Sequence, residues 1–331
     1  MEYAHTPVML DQVLEYLNPH AGDYFIDCTL GGGGYALAIA KIVGPKGKVL
    51  AIDLDEMAIN NAVSRIKNNP PISNLNNIIL VNDNFKNLAV ICDKYFGDQK
   101  GIKLNGIIFD LGLSGAQLKD SSRGFSFQMD TPLNMAFGEP ADNSASRIQA
   151  GKQTEHLLNN CSKHELERII WKYGEEKFFH RIAGGIINQR KIKPITSTGQ
   201  LVDIIKKAVP KKYQHSQIHF ATRTFQAIRI AVNDELENLA KALPFAVNLL
   251  SGGGRIAVVA YHSLEDRIVK NFFRKESKDC ICPPAAPLCQ CHHQASIKIL
   301  TKKIVRPSAR EVIANPRSRS AKLRVAEKLT G

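Results

Sequence analysis

The chain has no apolar run of about eighteen residues, so nothing in it reads as a membrane-spanning helix. Its first residues, Met1-Glu2-Tyr3-Ala4-His5-Thr6-Pro7, lack the basic stretch and following apolar stretch of a secretory signal. There is no internal repeat and no low-complexity segment. Acids are in short supply: 31 Asp and Glu stand against 44 Lys and Arg, a formal net charge of +13. That excess suits a polyanionic partner, because phosphate contacts are made with Lys and Arg, although a generally basic surface is the plainer alternative. Cysteine is sparse and odd in number, at seven. Cys28, Cys92 and Cys161 lie in apolar or helical contexts and read as reduced thiols of a cytoplasmic protein. Apolar residues are not lacking: at 44% of 331 residues they suffice for a sizeable core in one large or two ordinary domains.

The most informative stretch is Asp27-Cys28-Thr29-Leu30-Gly31-Gly32-Gly33-Gly34-Tyr35. An apolar run, Tyr24-Phe25-Ile26, precedes it and reads as a buried strand, and Ala36 to Val43 reads as a helix. A second apolar run, Val49 to Ile52, ends at Asp53. Strand, glycine turn, helix, strand and acid form the opening of a nucleotide-binding α/β unit. Glycine permits the sharp bend and the close approach of a ligand to peptide N–H groups. A carboxylate at the tip of the next strand can accept both hydroxyls of a ribose. Gly31, Gly33 and Ala36 also satisfy G-x-G-x-x-A, so an NAD-dependent oxidoreductase is a competing reading. It would need a catalytic His or Tyr/Lys arrangement in a second domain, and it leaves the positive charge unexplained.

Further strands are expected at Ile78–Val81 and Gly106–Asp110, with helices at Glu56–Lys67 and Leu88–Tyr95. Four strands alternating with helices imply a parallel sheet, and they place Phe85 and Asp110 at carboxyl ends of strands, where ligands of open α/β sheets sit. The alternation then stops. Helical patterns near 155–158, 164–173, 177–188 and 198–208 build a small α-domain, and Thr222 to Leu250 reads as one helix. Ser251-Gly252-Gly253-Gly254 punctuates the chain before a strand at Arg255–Tyr261. Ile297–Val305 and Lys322–Ala326 are expected to pair as an antiparallel edge. The expected division is 1–112 and 219–331 for the sheet domain, with 113–218 inserted.

Several long, irregular segments resemble the bacterial small-subunit ribosomal RNA (cytidine-N4-)methyltransferases, the MraW/RsmH family. They are His5 to Leu10, the glycine turn, Asp110-Leu111-Gly112-Leu113-Ser114 through Gln117-Leu118, Arg123 to Phe127, and Tyr173-Gly174-Glu175-Glu176. Ala221 to Ile230, His262 to Lys270 and Asn315 to Arg324 complete the set, which runs nearly end to end. The chain departs from the family pattern at Tyr35, where His is usual, and over Leu133 to Gly138, where two acids and an arginine are missing. The resemblance implies a class I (Rossmann-like) S-adenosylmethionine-dependent fold with an inserted all-helical domain. It implies methyl transfer to the exocyclic N4 of a cytidine in the ribosomal decoding centre. By matching motif it implies cofactor contacts from Gly33, Gly34, Tyr35, Asp53, Phe85, Asp110 and Gln117. A non-catalytic RNA-binding relative is the alternative within this family.

For transfer to an amine, the Pro-Pro-aromatic turn of many amino-methyltransferases is absent after the fourth strand, and the expected acceptors are Asp110 or nearby carbonyls. Ser114, Arg123, Phe125, Phe127, His262 and Glu265 are expected to position the base. Phe125 and Phe127 could stack on it or pack in a core, and His262 and Glu265 could line the cleft or yield to a helix cap at Ser263. Finally, Cys280-Ile281-Cys282 and Cys289-Gln290-Cys291 offer four thiolates for a structural zinc. The usual spacing is C-x-x-C, and an extended C-x-C points its side chains to opposite sides, so reduced surface thiols are the favoured reading. The family resemblance implies no metal.

Overall fold

The computed structural model describes residues 7–68, 76–97, 104–115, 117, 123–138, 154–283 and 288–330. His5, Thr6 and Leu118 of the family motifs, Pro284 and Pro287 of the cysteine loop, and most of the loop expected at 68–77 lie outside them. The chain divides into two compact units, Met1–Gly112 with Leu236–Gly331, and Leu113–Glu235.

The first unit is a seven-stranded sheet. Its strands are β1 (Tyr24–Asp27), β2 (Lys48–Asp53), β3 (Ile78–Asn82), β4 (Leu104–Asp110), β5 (Leu250–Ala260), β6 (Ile297–Ile299) and β7 (Lys322–Lys328). The spatial order is β3-β2-β1-β4-β5-β7-β6. β1 to β5 run parallel, and β7 runs antiparallel to both β5 and β6. The strands alternate between two apolar layers, as a period of two requires. Ile26, Leu50, Ile107, Phe109 and Val258 face one layer, and Phe25, Val49, Ala51, Ile108 and Val259 face the other. Helices cover both faces, so the strands read as unbroken apolar runs. Gly106 is glycine by necessity, since a Cβ there would lie 2.2 Å from the Phe25 ring.

β5 begins at Leu250, so the run Gly252-Gly253-Gly254 lies inside a strand and does not precede one. Leu104 pairs with Leu250 and Gly106 with Arg255, and the four residues between form a bulge with Gly253 at φ 81°. The tail pairs antiparallel as expected, but β6 is short and only an isolated bridge joins Val305 to Leu323.

The second unit is helical, built on 154–160, Lys163–Gly174, Phe179–Ile192, Thr198–Ala208 and Thr222–Asn233. Leu158, Leu166, Ile170, Ile182, Ile186, Leu201 and Ile205 form its buried core. Ser162 with Glu165, and Ser197 with Gln200, close reciprocal capping boxes. The single helix expected over 222–250 is two, broken at Asp234 with φ 50°. The return to the sheet unit therefore comes after Glu235 and not after residue 218. Thr222–Asn233 packs against Lys163–Gly174, where Gly174 leaves room that a Cβ, 2.6 Å from the Arg223 carbonyl, would fill.

Candidate cofactor and catalytic site

The strand order reverses between β1 and β4, the switch point at which open α/β sheets bind ligands. The glycine turn follows β1, Asp53 ends β2, Phe85 follows β3 and Asp110 ends β4, so all four groups come to the carboxyl edge. Gly31 and Gly33 take φ of 48° and 74°, a left-handed bend that brings the helix Gly34–Val43 back onto the sheet. A Cβ on Gly34 would lie 2.1 Å from the Pro7 ring, so that position is closed to any side chain.

Asp53 ties the turn to β2: its carboxylate accepts N–H groups from Gly31 at 2.7 Å and from Asp55 at 2.8 Å. Arg65 donates to the Gly32 carbonyl, fixing the turn from the helix Glu56–Asn68. Phe85 is half-buried and meets Phe109 edge-on at 5.6 Å. Tyr35 is buried in the core and its hydroxyl donates to the Val8 carbonyl, so its side chain is engaged within the core.

Asp27 and Asp110 are the electrostatic centre. Asp27 is fully buried, accepts the Thr29 N–H at 3.1 Å, and its Oδ2 has no hydrogen-bond partner among the described residues. Burial raises its pKa to about 7, and the nearby Asp53 charge adds to the rise. Burial raises Asp110 to about 7 as well, against the lowering effect of the Tyr261 hydroxyl, which donates to it at 2.8 Å. The Asp110 N–H is received by Thr29 Oγ1 at 2.6 Å. Thr29, Arg65 and Tyr261 were missed by the motif reading, and so was the role of Asp27. Only Asp27 carried a signal, as an acid closing an apolar strand.

The remaining expected residues are engaged in local structure. Ser114 and Gln117 cap each other's chain: the Ser114 N–H donates to Gln117 Oε1 at 3.0 Å and the Gln117 N–H to Ser114 Oγ at 3.2 Å. Both belong to the helical unit, as do Arg123, Phe125 and Phe127. Arg123 donates to the carbonyls of Ala136 and Phe137. Phe125 is buried and stacks on Phe137, while Phe127 stacks on His219 at 4.5 Å, so both rings sit in aromatic clusters of that unit. His262, not Ser263, is the cap of the helix Ser263–Glu276. Glu265 is buried and accepts the N–H groups of Tyr261 and His262, completing a capping box. The four cysteine sulfurs of the 280–291 loop do converge, against the expected extended geometry.

A mixed sheet of this order, with β7 antiparallel and an acid-lined glycine turn at the switch point, is a class I S-adenosylmethionine-dependent methyltransferase. The residues present suit that methyl donor. The carboxylates of this edge would offset its positive sulfonium, Asp27 being buried with an oxygen that has no partner among the described residues, and the turn admits close backbone approach. The chain belongs to the MraW methylase family, whose model matches residues 2–329. Proteins named ribosomal RNA small subunit methyltransferase H resemble it throughout. That of Dehalococcoides mccartyi is 46% identical, covering 99% of this chain and 88% of the relative. That of Brevibacillus brevis is 42% identical, covering 99% of each. That of Clostridium botulinum is 44% identical, covering 99% of this chain and all of the relative. Among solved structures, an rRNA methylase from Streptococcus thermophilus aligns over 99% of this chain and 100% of its own at 13% identity, with a TM-score of 0.42. No helix among the described residues is long and apolar enough to cross a membrane.

Proposed function

We propose that this methyltransferase transfers the methyl group of S-adenosylmethionine to the exocyclic N4 of a cytidine in the decoding centre of small-subunit ribosomal RNA, in the cytoplasm. The names of the relatives support the RNA, and the net charge of +13 supports a phosphate-rich partner. The observation that carries the chemistry is the partly buried Asp110–Tyr261 hydrogen bond at the switch point.

Gly33, Gly34, the Tyr35 backbone, Asp53 and Phe85 hold the donor. Asp53 takes the ribose hydroxyls, and Phe85 offers an apolar face to the adenine. The family motifs assign Gln117 to the donor, and Ser114, Arg123, Phe125 and Phe127 to the base. His262 and Glu265 act by holding the chain after β5. When bound, S-adenosylmethionine supplies an already electrophilic methyl carbon, so no side chain has to activate it.

The amine is the weak partner, because its lone pair is conjugated into the ring. Asp110 accepts an amine N–H, localises that pair, and takes the proton released as the C–N bond forms. A carboxyl raised to about 7 by burial binds that proton far better than an ordinary aspartate near neutral pH. Tyr261 orients Asp110 and stabilises its charged form, and Thr29 holds the backbone behind it.

The test is transfer of labelled methyl groups to isolated small subunits, with the modified base mapped. Modification at N4 of a decoding-centre cytidine is expected. Cofactor binding without transfer would favour the non-catalytic relative, and modification of another atom or another RNA would overturn the assignment.

A further inference from the structure

We propose that Cys280, Cys282, Cys289 and Cys291 bind one zinc ion as a closed, structural tetrathiolate site. The four sulfurs lie within 4.8 Å of one another. Cys280 and Cys289 are 3.5 Å apart, Cys289 and Cys291 3.6 Å, and Cys280 and Cys291 3.8 Å. A tetrahedron with Zn–S bonds of about 2.3 Å has edges of about 3.8 Å. The cluster therefore matches the size of one ion. A disulfide would bring a pair to about 2.05 Å, and none of the four is bonded. A polynuclear iron–sulfur cluster would spread the thiolates over several irons.

The objection to C-x-C spacing assumes an extended chain. Here the chain bends at Cys282 and again at Cys291, and His292 turns left-handed at φ 48°. Both side chains of each pair consequently reach one point. The middle residue of each pair aims its N–H at the opposite pair: Ile281 donates to Cys291 Sγ and Gln290 to Cys282 Sγ, each at 3.4 Å. Such N–H···S bonds help carry the negative charge of thiolates on a metal. No apolar core gathers these residues, since Cys280 and Cys289 are exposed and the other two half-exposed.

On binding, each thiol loses its proton and becomes a ligand, so four protons are released and four Zn–S bonds form. With four protein ligands no position stays open, and the site is structural. It closes a loop whose base is already stitched. The Ser296 N–H donates to the Glu276 carbonyl at 2.8 Å, and the Ala295 N–H to Asp279 Oδ1 at 3.3 Å. The metal thus pins the connection between the helix Ser263–Glu276 and the edge strand β6.

The test uses the full chain, expressed with added zinc and purified under reducing conditions. Elemental analysis should give about one equivalent of zinc. The Cys282→Ser/Cys289→Ser double variant should lose it. Cobalt substitution of the unaltered protein should give the intense visible bands and thiolate charge-transfer absorption of a tetrahedral sulfur site, a readout independent of the variant's folding. Less than about a tenth of an equivalent with four reactive loop thiols, iron in place of zinc, loop disulfides, or zinc retained by the double variant would each overturn the proposal.

Discussion

Tyr261→Phe isolates one hydroxyl. The ring that packs beside Gly112 is retained, and only the donor to Asp110 Oδ1, at 2.8 Å, is lost. That bond lowers the Asp110 pKa, while burial, the larger effect, raises it to a net value of about 7. A hydrogen bond to a charged group contributes about 1.5–3 kcal/mol. At about 1.4 kcal/mol per pH unit, its removal should raise Asp110 by roughly one to two pH units. The acceptor works only when ionised, so activity is present above the pKa and lost below it. Single-turnover methyl transfer to isolated small subunits, followed from pH 5.5 to 9.5 at constant ionic strength, should rise with a midpoint near 7 in the unaltered protein. In the variant the midpoint should move to about 8–9, with the alkaline plateau largely recovered. An unchanged midpoint, or the same fractional loss at every pH, would refute the role given to Asp110.

Asp53→Ala removes the ribose acceptor together with the acceptor of the Gly31 N–H and should weaken S-adenosylmethionine by at least about 1.5–3 kcal/mol, and unchanged affinity by calorimetry would remove Asp53 from the site. Asp27 is raised from 3.8 to about 7. The folded state therefore holds a proton that the unfolded chain has released, and stability falls as pH rises through that window. Asp27→Asn should gain relative to the unaltered protein across the same range, by at most ~4 kcal/mol, and parallel stability–pH curves in urea would contradict this. Affinity for the RNA should fall log-linearly with salt, carried by the exposed clusters Lys206-Lys207, Lys211-Lys212 and Arg317 with Arg319; a flat dependence would discard the electrostatic reading.

The parts of the fold visible in the sequence are those built from neighbours along the chain. β1, the glycine turn, its helix and β2 are each announced by local periodicity and by residues that alone tolerate the turn, and Asp53 and Asp110 follow because they end apolar runs. Boundaries set by packing were less legible. The break at Asp234 interrupts a continuous helical pattern, and the glycines of β5 look like a loop until β4 is laid beside them. Family motifs named Ser114, Gln117, His262 and Glu265 without distinguishing a helix cap from a ligand contact, since both uses favour the same residue types.

The amino-acid order by itself determined the alternating strands and helices, the acid-and-glycine edge and the positive charge, because these depend on side chains and their spacing. Only the tertiary structure decided which groups meet across long separations. Tyr261 reaches Asp110 because β5 lies beside β4, although 151 residues of chain separate them. Thr29 reaches the Asp110 backbone because β1 lies on the other side. The cysteine pairs converge because two bends turn an extended C-x-C inward. Such contacts are decided by the sheet order and loop closure that bury the most apolar surface, and neither is written in any single stretch of the chain.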